Sequence, residues 1–128
     1  MVRKIWVCMI LMIISGAAMA QANHILYEQC RTYRTFGTDT KTTEQFVDVV
    51  ACINYMSGAY QAYNMAFYSG KKPNRRCAFE TRTTNDFIDD YIVFTRTTKA
   101  MDDDRRIVVG MLVEDCYCGE DPPPYCPK

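Results

Sequence analysis

Behind its first twenty residues the chain carries six cysteines: Cys30, Cys52, Cys77, Cys116, Cys118 and Cys126. An even cysteine count in an exported chain reads as a disulfide framework, and the first twenty residues read as the export signal. Arg3 and Lys4 give a positive start, Ile5 to Ile14 form an apolar run, and Ala18-Met19-Ala20 places small residues where a signal peptidase cuts. The run is too short to span a bilayer, which takes about 20 apolar residues. Cys8 lies inside it without a lipobox. Cleavage is expected after Ala20, with Ala22 as a second choice because Ala20-Gln21-Ala22 has the same pattern. Residues 1–20 are then a secretory signal peptide, and residues 21–128 a single exported domain with a Cys- and Pro-rich C-terminal tail.

Three bridges worth about 2–4 kcal/mol each rival the whole net stability of a small domain. Spacing alone leaves about 15 pairings open. Of the 15 basic residues, two leave with the signal, so 13 face 15 acidic ones, a net of −2. A general nucleic-acid binder would be basic, and a membrane-surface binder would carry a basic amphipathic helix. The expectation is a soluble domain that binds neither nucleic acid nor, after cleavage, a membrane.

Helical spacing recurs along the exported part. Leu26, Cys30 and Tyr33 form one stripe from Asn23 to about Thr35, stopped by Gly37. Thr42 and Gln45 have the spacing of a capping box, opening a helix from about Thr43 to Tyr68. Phe46, Val49, Val50, Ile53, Met56, Tyr60, Tyr63 and Phe67 are its expected core row. Ala51, Ser57-Gly58-Ala59, Ala62 and Ala66 form a small-residue row that would admit a neighbouring helix, with Gly58 kept for packing. Gly70 is the expected stop. A loop follows, with Lys71, Lys72, Arg75, Arg76 and Arg82 against Glu80, turned by Pro73 and Asn74. Thr83 and Asp86 start a helix with Phe87, Ile88, Tyr91, Ile92 and Phe94 on its apolar face, to about Thr98. Asp102-Asp103-Asp104 opens a last helix through Val113, its first-turn carboxylates complementing the helix dipole. The tail, with Pro122-Pro123-Pro124, is expected to be irregular and stapled back. No run alternates long enough to make a sheet. The fold class is all-α, a small bundle of about four helices stapled by disulfides.

The catalytic inventory is thin, and the chain is not expected to be an enzyme. The one histidine, His24, is expected at a frayed terminus, and the exported serines are Ser57 and Ser69. A serine triad needs a histidine held rigidly between two partners, and paired cysteines supply no thiolate nucleophile. Asp89-Asp90 and Asp102 to Asp104 read as solvated surface charge. Cys116-x-Cys118 lacks the two-to-four-residue knuckle of structural zinc sites, so no metal and no cofactor is expected. Met56, Met65, Met101 and Met111 read as core filler. The basic loop, Lys71, Lys72, Arg75, Arg76 and Arg82, is the candidate edge for an acidic protein partner.

The segment Cys52-Ile53-Asn54-Tyr55-Met56-Ser57-Gly58-Ala59-Tyr60-Gln61-Ala62 resembles the signature helix of the Rap1a/Tai immunity-protein family. Cys52, Tyr55, Gly58 and Ala62 match, while Asn54 replaces a usual glycine. Cys77, Thr83 and Phe87 sit where the family has a cysteine and then a helix start. Phe79 and Thr81 replace its proline and glycine. Leu112 to Cys118 resembles the family's last helix, and Cys116, Cys126 and the proline-rich tail are additions. The resemblance implies a helical periplasmic protein of a Gram-negative bacterium. Such a protein binds and inhibits a peptidoglycan amidase effector of a type VI secretion system, and so protects the producer. In general character the family is also similar to HdeA-type acid-stress chaperones. The resemblance further implies Cys30 paired with Cys52 and Cys77 with Cys118, which leaves Cys116 with Cys126. The partners expected on this reading are a cell-wall hydrolase effector and, secondarily, a second copy of the chain in a homodimer.

Overall fold

The computed structural model describes residues 22–68, 82–119 and 121–128. Among these described residues four helices follow in order: α1, Asn23–Phe36; α2, Thr43–Tyr68; α3, Thr84–Thr98; and α4, Arg105–Met111. α4 continues into a wider π-helical segment, Leu112–Tyr117. Among the described residues there is no strand, only an isolated antiparallel bridge between Ala22 and Asp104. The chain is an all-α bundle stapled by disulfides, as its spacing predicts. Residues 1–20, expected to be a signal peptide, together with Gly70, Cys77 and Lys71 to Arg76 of the basic loop, lie outside the described residues.

Each helix starts and stops for a local reason. α2 opens with a complete capping box: the Gln45 N–H donates to Thr42 Oγ1 at 3.1 Å, and the Thr42 N–H to Gln45 Oε1 at 3.2 Å. α3 repeats the device with Thr83 and Asp86. α1 has no side-chain cap. Its first N–H groups are satisfied by the α3–α4 connection, Asn23 N–H donating to Asp103 O and His24 N–H to Met101 O, both at 2.8 Å. The backbone at His24 is therefore docked, where a frayed end was expected. α1 ends at Gly37, whose φ of +57° suits glycine, and α3 ends on left-handed Lys99.

α4 departs from expectation at its start. Asp104 is the N-cap, accepting from the Arg106 N–H at 2.9 Å, and no carboxylate lies in the first turn. The aspartate run precedes the helix because an aspartate side chain does more for the orphan N–H groups as a cap than inside the turn. In the π-helical continuation the Cys118 N–H reaches back five residues to Val113 O at 3.1 Å. Gly119 then leaves the helix where an added Cβ would lie 2.7 Å from Asp115 O.

α1 packs along α2, α3 contacts both, and α4 contacts α1. Leu26, Met56, Phe87, Tyr91, Phe94 and Leu112 are fully buried among them, each worth about 1.5–3 kcal/mol in transfer free energy. The tail is stapled back as predicted: the Tyr125 ring meets Phe94 edge-on at 5.8 Å, and its hydroxyl donates to Asp115 at 3.1 Å.

Three core expectations on α2 and the methionines are corrected. Phe46 is 57% exposed and Val50 37%, although Val49 and Met56 are buried. Gly58 is exposed, with open space where a Cβ would be, so no packing contact within the chain requires it. Of the four methionines read as core filler, Met56 is fully buried and Met101 packs against the core, while Met65 and Met111 are exposed.

Candidate functional site

The cysteines divide as staples between distinct parts. Cys30 of α1 and Cys52 of α2 form a disulfide, and Cys116 bonds to Cys126 of the tail. Cys118 is also disulfide-bonded; its implied partner, Cys77, lies outside the described residues. Two of the three implied pairs are thus present. The four residues matching the family motif have different surroundings. Cys52 is a buried staple, Tyr55 carries the Arg105 guanidinium 4.4 Å from its ring centroid, and Gly58 and Ala62 face outward.

Of the basic loop, Arg82 is described, and it is held on three sides. Its carbonyl accepts from the Tyr60 hydroxyl at 2.7 Å, fixing the backbone at the end of the loop to α2. Its guanidinium pairs with the Asp90 carboxylate at 3.0 Å. The same guanidinium lies over the Tyr117 ring, 5.5 Å from the centroid, a cation–π contact. The Tyr117 hydroxyl donates to the same Asp90 oxygen that Arg82 engages. One carboxylate of α3 therefore organises an arginine from the loop and a tyrosine from the π-helical segment.

Burial pushes the Asp90 carboxyl above the usual carboxylate range, while the Tyr117 hydroxyl and Arg82 pull it back. Burial, then the hydrogen bond to Asp90, pushes the Tyr117 hydroxyl well up, so it stays a donor. Beside this group the tail forms an open pocket of about 370 Å³ lined by Arg82, Cys116, Cys126, Lys128 and prolines from Pro122 to Pro127. Its cationic groups and stapled proline wall could seat an acidic side chain of a partner.

Sequence reasoning read Asp90 as surface charge, but it is a buried side chain. The signal was present: Asp90 lies three residues after Phe87 and four before Phe94, on the stripe α3 buries. Its neighbour Asp89 does face outward, paired with Arg34 of α1. A second polar group escaped notice. Asn23 is fully buried, donating to Ala100 O at 3.0 Å and Thr95 Oγ1 at 3.3 Å, and accepting from the Tyr91 hydroxyl. It joins the start of α1 to α3 and to the connection after it. Among the described residues no group of His, Cys, Asp and Glu side chains could hold a metal ion.

The features define a small helical, disulfide-stapled domain with a braced basic edge. Compared with known proteins, the chain matches no family model, no curated protein and no solved structure.

Proposed function

We propose that this chain is a periplasmic immunity protein that binds and inhibits a peptidoglycan amidase effector of a type VI secretion system. The Rap1a/Tai resemblance of Cys52, Tyr55, Gly58 and Ala62 suggests the class. The observation that carries the reading is the bracing of Arg82 by Tyr60, Asp90 and Tyr117 beside a tail held by Cys116–Cys126. An inhibitor gains affinity when its contact residues are ordered before binding, because each immobilised side chain otherwise costs about 0.5–1.5 kcal/mol. Arg82 and the basic residues before it, Lys71, Lys72, Arg75 and Arg76, supply charge for an acidic rim around a hydrolase cleft, which speeds encounter and fixes orientation.

The test is protection. Cells exporting this chain should survive amidase effectors directed to their periplasm. Replacing Lys71, Lys72, Arg75 and Arg76 with glutamate should remove that protection while leaving the melting temperature unchanged. Equal killing with and without the wild-type chain, across a panel of such effectors, would sink the proposal.

A further inference from the structure

We propose that the Cys116–Cys126 disulfide is a thiol-exchange site: an anionic thiol enters the pocket beside it, opens the bond and so releases the tail from the bundle. The proposal stands without the inhibitor reading, since it concerns the chemistry of one bond. The described disulfide cysteines differ in access. Cys30 and Cys52 are 0% exposed and Cys118 4%, whereas Cys116 and Cys126 are only partly buried and both line the open pocket of about 370 Å³. Exchange requires a thiolate to reach a sulfur atom, and the tail bond is the one that a dissolved thiol can reach while the helices stay packed.

The pocket also selects the reagent. Its two charged lining side chains, Arg82 and Lys128, are both cationic, and among the described residues no carboxylate side chain lines it. Asp115, next to Cys116, accepts from the Tyr125 hydroxyl at 3.1 Å, and Asp121 is exposed. Arg82 is already engaged by Asp90 at 3.0 Å and by the Tyr117 ring, so Lys128 supplies the larger share of the attraction. A unit charge roughly 6 Å away in water enriches an opposite ion about threefold and depletes a like one about threefold. The same cations stabilise the thiolate that exchange expels.

The entering thiolate attacks one of the two sulfur atoms, the S–S bond breaks, and its electron pair leaves on the other sulfur. A second thiolate then displaces the first from the mixed disulfide. Two thiols are thereby oxidised to their own disulfide, and Cys116 and Cys126 take up the two protons given up. The tail depends on the bond that is lost. Pro122, Pro123, Pro124 and Pro127 have no N–H to donate, and the Cys126 N–H is used within the tail, on Pro123 O at 3.0 Å. A run of backbone hydrogen bonds therefore cannot dock this segment. The Tyr125 ring against Phe94 at 5.8 Å and its hydroxyl on Asp115 would then act against the backbone entropy of residues 121–128.

The experiment exposes the purified oxidised chain to mercaptoethanesulfonate, an anion, or to cysteamine, a cation of similar size. Acid stops the reaction, and mass spectrometry maps the free and mixed cysteines. Each rate is taken per thiolate and scaled to that reagent's rate on a small neutral disulfide. Cys116–Cys126 should open at least about tenfold faster than Cys30–Cys52, whose attack requires the helices to part first. The anion should outpace the cation by about tenfold, and K128Q, a change at an exposed residue, should bring the two rates close together. Chymotrypsin should cut after Tyr125 in the opened chain and in C116S/C126S, with helical circular dichroism retained, and should spare that bond in the oxidised chain. Opening of Cys116–Cys126 no faster than Cys30–Cys52 overturns the proposal. Equal scaled rates for the two reagents, or a preference that K128Q leaves intact, overturn the selection of an anion by the pocket. A Tyr125 as protected in C116S/C126S as in the oxidised chain overturns release of the tail.

Discussion

Replacing Asp90 with asparagine keeps the side chain's shape and removes its charge, which leaves the Arg82 guanidinium, a third exposed, without its ionic partner. Breaking a fully buried pair costs about 3–5 kcal/mol; here burial already opposes the ionised carboxylate and Arg82 is partly in water, so at neutral pH D90N should move stability by no more than about 1 kcal/mol, read from the urea midpoint. Acidification separates the carboxylates by sign. The Arg106 side chain, then its backbone N–H, holds Asp104 down to about 2, and the Thr83 backbone N–H, then its hydroxyl, lowers Asp86. Their contributions are present above the unfolded value of 3.8 and are lost as pH falls through the folded values. Asp90 runs the other way: its raised value makes the folded state gain as pH falls toward 3.8. Melting followed between about pH 4 and pH 2 should therefore decline less steeply in D104N than in wild type. D90N should lose more than wild type on going from neutral pH toward pH 4. Asp90 thus opposes the acid loosening that an HdeA-like chaperone needs.

At the scale of elements, helix ends were easy to read and helix faces were not. Thr42 with Gln45 and Thr83 with Asp86 are local contacts three residues apart, so their capping boxes show in the sequence; T83A should cost about 1 kcal/mol, measured by denaturant melts. α2 hides its inward side because apolar and small residues recur all the way round it. Spacing identifies the helix, but it cannot separate Val49, which is buried, from Phe46 and Val50, which are not. Gly58 shows the same ambiguity. As an exposed interior residue with free space around it, it should accept alanine with a gain of about 0.5–1 kcal/mol.

For the whole molecule, the start of α1 is part of the packing. Asn23 is fully buried, and its N–H and side chain tie α1 to Asp103, Thr95 and Ala100. Signal cleavage after Ala22 would turn that buried nitrogen into an ammonium group and remove the residue that bridges to Asp104. On the proposed export reading, cleavage should therefore fall after Ala20, and a mature mass beginning at Asn23 would count against it. The Cys30–Cys52 bridge, with a sequence separation of 22, should contribute about 3 kcal/mol by restricting the unfolded chain, an effect that C30S/C52S would show in its urea midpoint. Helix order, helix boundaries to within a few residues and the use of cysteine as a staple were determined by the sequence alone, because periodicity and capping act over short stretches of chain and an even cysteine count needs no tertiary information. The tertiary structure decided which side of α2 meets water, that Asp90 is buried beneath Arg82 and Tyr117, and that Asn23 closes the bundle. Those outcomes depend on residues far apart in the chain arriving at the same place, and short-range patterns carry no record of that arrival.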